Sequence, residues 1–134
     1  MKRSVISCSL MLSLLSGCAV HTKAVPTKGA AFVPSHNHAV CMLPGLLPAG
    51  FQYFEVGRIA ATKRTYGGSD QLIGEMANEA RKLGADAVVN FHVGQKFKSP
   101  LPWRVVAPTG SGTAVKLKPE SPAIDCAMMG GRSV

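Results

Sequence analysis

The stretch SDQLIGEMANEARKLGADAVVNFHV, residues 69–93, constrains the fold more than any other part of the chain. It changes hydrophobic period within a single pass. Leu72, Met76, Ala80 and Leu83 recur at helical spacing, with Ile73 and Ala77 beside them. That is an amphipathic helix with one apolar stripe. Ser69 stands where a hydroxyl can cap the helix N-terminus. Asp70 lies near the positive helix end, Arg81 and Lys82 near the negative end, and Gly84 supplies the left-handed stop. From Ala85 the period falls to two. Ala85, Ala87, Val89, Phe91 and Val93 read as the side facing the helix and core, and Asp86, Val88, Asn90 and His92 as the opposite side. A one-sided helix must bury its stripe against another layer, and a strand of this kind provides it.

The flanking segments supply the rest of that layer. His38–Leu43 is a short apolar run ended by Pro44 and Gly45. Phe51–Thr62 reads as a long strand with Gly57 at a bend or bulge. Trp103–Ala107 and Thr113–Leu117 read as two strands joined by PTGSG, a loop with the composition of a hairpin turn. The tail PESPAIDCAMMGGRSV has little periodicity and reads as held through Cys126. The expected fold is α+β: a small, mostly antiparallel sheet of about five strands with one main helix on one face, forming a single domain over residues 38–134. One helix covers one face only. The other face is then wet, covered by the tail, or packed on another chain, and the strand Phe51–Thr62 offers an open edge.

The N-terminus has a different character. Lys2 and Arg3 precede a mostly apolar run from Val5 to Leu15. That run is far short of the ~20 residues a membrane-spanning helix needs, and it fits the apolar region of a secretory signal. Leu15-Ser16-Gly17-Cys18 then resembles the lipobox of bacterial lipoproteins, in which a leucine and two small residues precede the acylated cysteine. The resemblance implies that residues 1–17 are a signal peptide and that Cys18 is lipidated, which attaches the protein to a membrane. The alternative is a secreted protein cut near Gly17. Ala19 follows the cysteine, and by resemblance to the Gram-negative sorting rule this implies the outer membrane, with the domain facing the periplasm. Pro26, Gly29 and Pro34 interrupt any period in residues 18–37, which read as a flexible tether.

Lys and Arg total 15 against 7 Asp and Glu, a formal charge of +8 that falls by two if Lys2 and Arg3 are removed. A basic exported surface can meet acidic lipid headgroups, lipopolysaccharide or cell-wall polymers. Nucleic acid is not an expected partner, because an exported chain does not meet the chromosome and no basic stripe interleaved with aromatics is visible. Of the four cysteines, Cys8 lies in the signal and Cys18 is the lipid site. Cys41 and Cys126 remain, an even pair in an oxidising compartment, which points to a disulfide. The alternative is two free thiols.

The segments VGRIAAT, EARKLGADAVVNF and SGTAVKLK resemble the YbjQ-like domains, a family labelled for heavy-metal binding, over about Phe51 to Lys118. The helix-to-strand passage also resembles the related domain of the outer-membrane stress-sensor lipoproteins of the Rcs pathway. The first resemblance implies a small α/β unit that forms rings. The second implies a monomer-like domain that reaches its partners from a lipid anchor. The sensors carry two disulfides, whereas this chain has no cysteine at Val93 or Lys116, where two of theirs would fall.

Three sets of residues are candidate sites. His36 and His38, with Cys41 and the distant His92, are possible soft-metal ligands. Asp86, Asn90 and His92 share a strand face and would serve acid–base chemistry only under a pocket. No GxSxG, HExxH or phosphate-loop pattern accompanies them. With Val88, the same residues form a possible subunit interface. Tyr66 and Trp103 are possible recognition aromatics, and Gly67 and Gly68 leave backbone N–H groups before the helix. The reading that unites these features is a non-enzymatic envelope lipoprotein without a cofactor, acting by contact with an envelope protein or with copies of itself. The alternatives are a metal- or small-ligand-binding module and a weak hydrolase.

Overall fold

The computed structural model describes residues 20–63, 68–98 and 105–134. Its elements run β1 (Val20–Pro26), β2 (Cys41–Met42), β3 (Tyr53–Lys63), α1 (Asp70–Lys82), β4 (Ala87–Lys98), β5 (Val105–Leu117) and β6 (Arg132–Ser133). The strands form one six-stranded sheet in the order β1-β3-β5-β4-β2-β6. Every pairing is antiparallel except β2 with β4. The helix connects β3 to β4, and β5 then inserts between those two strands. The α+β class with one main helix is as expected from the sequence.

The helix stripe packs as its periodicity requires. Leu72, Met76, Ala77 and Ala80 are fully buried against Val56, Ile59, Val88 and Ala114 of the sheet. The helix comes close because β5 is flat beneath it. A Cβ on Gly110 would lie 2.6 Å from a Leu72 methyl and 2.7 Å from the Met76 sulfur, and one on Gly112 would strike Val88. The PTGSG segment is therefore the middle of one continuous strand and not a hairpin turn. Gly110 serves close approach by the helix, and Gly112 leaves room for Val88 of β4.

A second core lies on the opposite face, at the β2 end. Leu43 and Leu47 pack there with Ala87, Val89 and Val115, joined by Ile124 and Met129 of the tail. Cys41 and Cys126 are disulfide-bonded, with Cα atoms 5.6 Å apart. The tail is held by more than that bond. Val40 and Val134 exchange backbone hydrogen bonds of 3.0 and 3.1 Å, β6 pairs with β2, and Arg81 donates to the Val134 carbonyl oxygen.

Further corrections concern the N-terminal segment and β4. Residues Val20–Pro26, expected within the tether, form β1 along the whole outer half of β3. From Gly57 to Thr62 the strand Phe51–Thr62 is therefore interior, paired on both sides. Val20 and Ala24 pack on the helix-side core, while His21, Lys23 and Val25 point outward. Residues beyond Pro26 also lie on the domain: Thr27 N–H donates to Val56 O, and His36 N–H donates to Arg81 O. Within β4, strict alternation fails at a bulge between Val89 and His92, where Asn90 has φ +49°. Val88 faces the helix core and Ala87 and Val89 the second core, the reverse of the expected faces. Ser69 makes no side-chain cap; its carbonyl accepts from Ile73 N–H.

Candidate functional site

The loop–tail plug covers only part of the helix-free face. The remainder, toward β1 and the far end of β4, is open. Ladder register assembles it. Lys23 of β1 pairs with Ala60 of β3, Ala60 with Ser111 of β5, and Ser111 with His92 of β4. Cross-strand partners share a face, so these four side chains form one rung across four strands. At ~4.8 Å per strand the rung spans about 14 Å between Lys23 and His92. The next rung places Val25 beside Arg58 and Arg58 beside Thr113. Lys96 stands two alternations beyond His92 on the same strand.

Chain chemistry explains why the face is concave. The centre of the rung is Ala60 and Ser111, both small, while its ends are long or cyclic side chains. Two adjoining open depressions of about 440 and 460 Å³ result, sharing Ala60, His92 and Ser111. Lys23 and Arg58 border one, and Lys96 the other. Among the described residues, no carboxylate lines either depression. Glu55, the acidic residue of β3, lies past Arg58 on the rung with Val115. The site combines peripheral cations with a floor of hydroxyls and methyls.

The residues singled out from sequence separate into several places. Asn90 and His92 are exposed on this face. Asp86 is not in the depression. Its carboxylate accepts from Lys116 Nζ at 2.8 Å and from Leu117 N–H at 2.9 Å, fastening β5 to the turn before β4. Val88 is fully buried beneath the helix, so it cannot belong to an exposed interface. His36 meets the Ala85 carbonyl oxygen through Nε2 at 2.7 Å, and His38 stacks on it at 5.2 Å between centroids. Both histidines lie by the helix C-terminus, whereas His92 lies on the opposite sheet face. Cys41 is spent in the disulfide. Among the described residues, no three His, Cys, Asp or Glu side chains gather as a metal-binding group. Gly68 has open space around it. Cys18, Tyr66, Gly67 and Trp103 lie outside the described residues.

Sequence reading missed Lys23, Arg58, Lys96 and Ser111 as members of one site. They are scattered over the chain, and only ladder register brings them together. The alternation VHTKAV could have revealed β1 itself, with Lys23 and Pro26 placed as on a protected edge strand. The chain matches no protein-family model, no curated protein and no solved structure. Among the described residues, no helix is long and apolar enough to cross a membrane.

Proposed function

We propose that this chain is a lipid-anchored protein of the bacterial outer membrane, facing the periplasm, that works without catalysis by contact with an envelope protein or with copies of itself. The observation that carries the reading is the position of β1. The lipobox cysteine, Cys18, is two residues before Val20, the first residue of the sheet. An extended chain spans at most about 3.6 Å per residue. Acylation at Cys18 would therefore hold a rigid, bonded sheet directly at the bilayer, with no long tether between them. Such an arrangement sets which surfaces a neighbour can reach. The resemblance to lipid-anchored stress-sensor domains supports the same reading.

The anchor is tested by intact mass of the membrane fraction. The expected species begins at Cys18 and carries added diacylglycerol and acyl mass. A mature chain beginning at Cys18 without lipid would overturn the anchor. Contact is tested by photo-crosslinking in the envelope from Ser111 on the open sheet face and from Asn78 on the exposed helix surface. An adduct at twice the protein's mass identifies self-association, and an adduct of another discrete mass identifies a different protein. A lack of discrete adducts from both positions, at normal expression, would refute the contact reading.

A further inference from the structure

We infer that the open helix-free face rests on anionic phospholipid headgroups of the bilayer that carries the protein, leaving the helix face for protein contact. This orientation rests on the anchored reading above.

Charge decides the occupant first. Lys23, Arg58 and Lys96 are exposed around the two depressions, and the lining holds no carboxylate among the described residues. A second copy docked face to face would set these cations against their own equivalents. Like charges brought together and desolvated oppose association. The complementary surface is anionic.

Shape and location then favour a lipid surface over an acidic protein. Protein interfaces concentrate their affinity in buried aromatic or large aliphatic anchors. Among the described residues, this face has Ala60, Ser111 and Gly112 at its floor and no Phe, Tyr or Trp in its lining. The exposed valine at its border, Val25, is 50% accessible. Hydroxyls of Ser111 and Thr113, set among Lys and Arg, suit phosphate oxygens, which take charge-assisted and neutral donors together. Lys23 lies on the strand that begins two residues after Cys18. Five residues of extended chain reach at most about 18 Å, so Lys23 enters the field of a negative leaflet, which decays over about 10 Å at 0.1 M salt, when this face lies against the bilayer. The opposite surface differs: Lys82 on the helix is paired with Glu79 at 2.7 Å, so its charge is already matched within the protein.

The experiment is lysine footprinting of the native lipidated protein in vesicles. Vesicles of phosphatidylcholine alone are compared with vesicles that also contain phosphatidylglycerol. Acetylation rates at Lys23, Lys96 and Lys82 are read by peptide mass spectrometry. Phosphatidylglycerol should slow Lys23 and Lys96 several-fold relative to Lys82, and about 1 M salt, where the screening length is about 3 Å, should abolish the difference. Lys23→Glu and Arg58→Glu variants should each lose at least about fivefold in the effect, from roughly 1 kcal/mol per basic residue near such a surface. Lys82→Glu should leave it unchanged. Equal rates in both vesicle types, or preferential slowing of Lys82, would overturn the orientation.

Flotation with phosphatidylcholine vesicles is measured beforehand and separates the two readings. Failure to float there refutes the anchor alone. The same labelling with protein added to phosphatidylglycerol vesicles then still decides the face: selective protection of Lys23 and Lys96 supports it, and uniform labelling rejects it.

Discussion

Removal of the Cys41–Cys126 disulfide should destabilise the whole domain and not merely release its tail. The bond closes a sequence separation of 85 residues, running from β2 through every central strand and the helix. The chain-entropy relation then gives about 15 cal/mol/K, or roughly 4.6 kcal/mol at 25 °C. That is a large part of the ~5–15 kcal/mol that holds a domain of this kind folded. A local alternative exists, in which the tail peels away while the sheet survives. The structure argues against it, because Ile124 and Met129 complete the second core and Val134 bonds to Val40 in both directions. Releasing the tail uncovers Leu43 and Leu47, which join the plug to β2. The test is urea unfolding of the oxidised protein against the Cys41→Ala/Cys126→Ala variant. With a slope of about 1.5 kcal/mol/M the midpoint should fall by about 3 M. Native-state hydrogen exchange should show the Val40 and Val134 amides opening together with those of β3 and β5. A loss below about 1.5 kcal/mol at unchanged slope would refute the entropic argument. Early, separate exchange at Val134 would refute the coupling of plug to sheet.

Further predictions follow from single positions. Gly84 has φ +74°, and a Cβ there would meet a Val33 methyl at 2.5 Å and the Pro34 carbonyl oxygen at 2.6 Å; Gly84→Ala should cost about 2–3 kcal/mol and expose the His36 amide to exchange, whereas a loss under about 0.5 kcal/mol would show that the 33–36 segment does not pack there. Val88→Asp buries an unpaired carboxylate under Met76 and should cost about 4 kcal/mol or more, seen as loss of helical circular dichroism; an unchanged melting curve would remove Val88 from the core. Asp86→Ala should cost about 1–2 kcal/mol through Lys116 and Leu117, measured by the same unfolding curves, and neutrality would mean that this link is not stabilising. The hydrogen bond from Lys82 to Glu79 raises the Lys82 pKa. Its stabilising contribution is present at neutral pH and is lost as the pH climbs through the raised folded value, above the ordinary ~10.4; side-chain NMR titration should show the raised value fall in Glu79→Gln.

The helix and its strand were legible in the sequence because their signals are local. Burial of Leu72, Met76, Ala77 and Ala80 follows from a 3.6-residue repeat, and the break at Gly84 follows from its freedom to take positive φ. The pairing of Cys41 with Cys126 was reachable from the expectation of export and a count of cysteines. The strand faces were less secure. A single bulge at Asn90 and the plug on the second core assigned Val88 to the helix side, and no period-two pattern can report an inserted residue in advance. The glycines of PTGSG carry two meanings, turn or close approach, and only the helix lying over Gly110 selects the second. Residues 20–26 show the same ambiguity: Pro26 and Gly29 suggest a tether, but the pairing partner β3 turns Val20–Pro26 into a strand. The basic face is wholly tertiary. Lys23, Arg58 and the β4 pair His92 and Lys96 are unrelated by spacing, and they meet because strand order and register carry side chains from distant positions onto one side of a sheet. Sequence by itself determined the apolar periods and the cysteine inventory. Tertiary structure decided which charges became neighbours, because that depends on hydrogen-bonded pairing between strands that no local preference specifies.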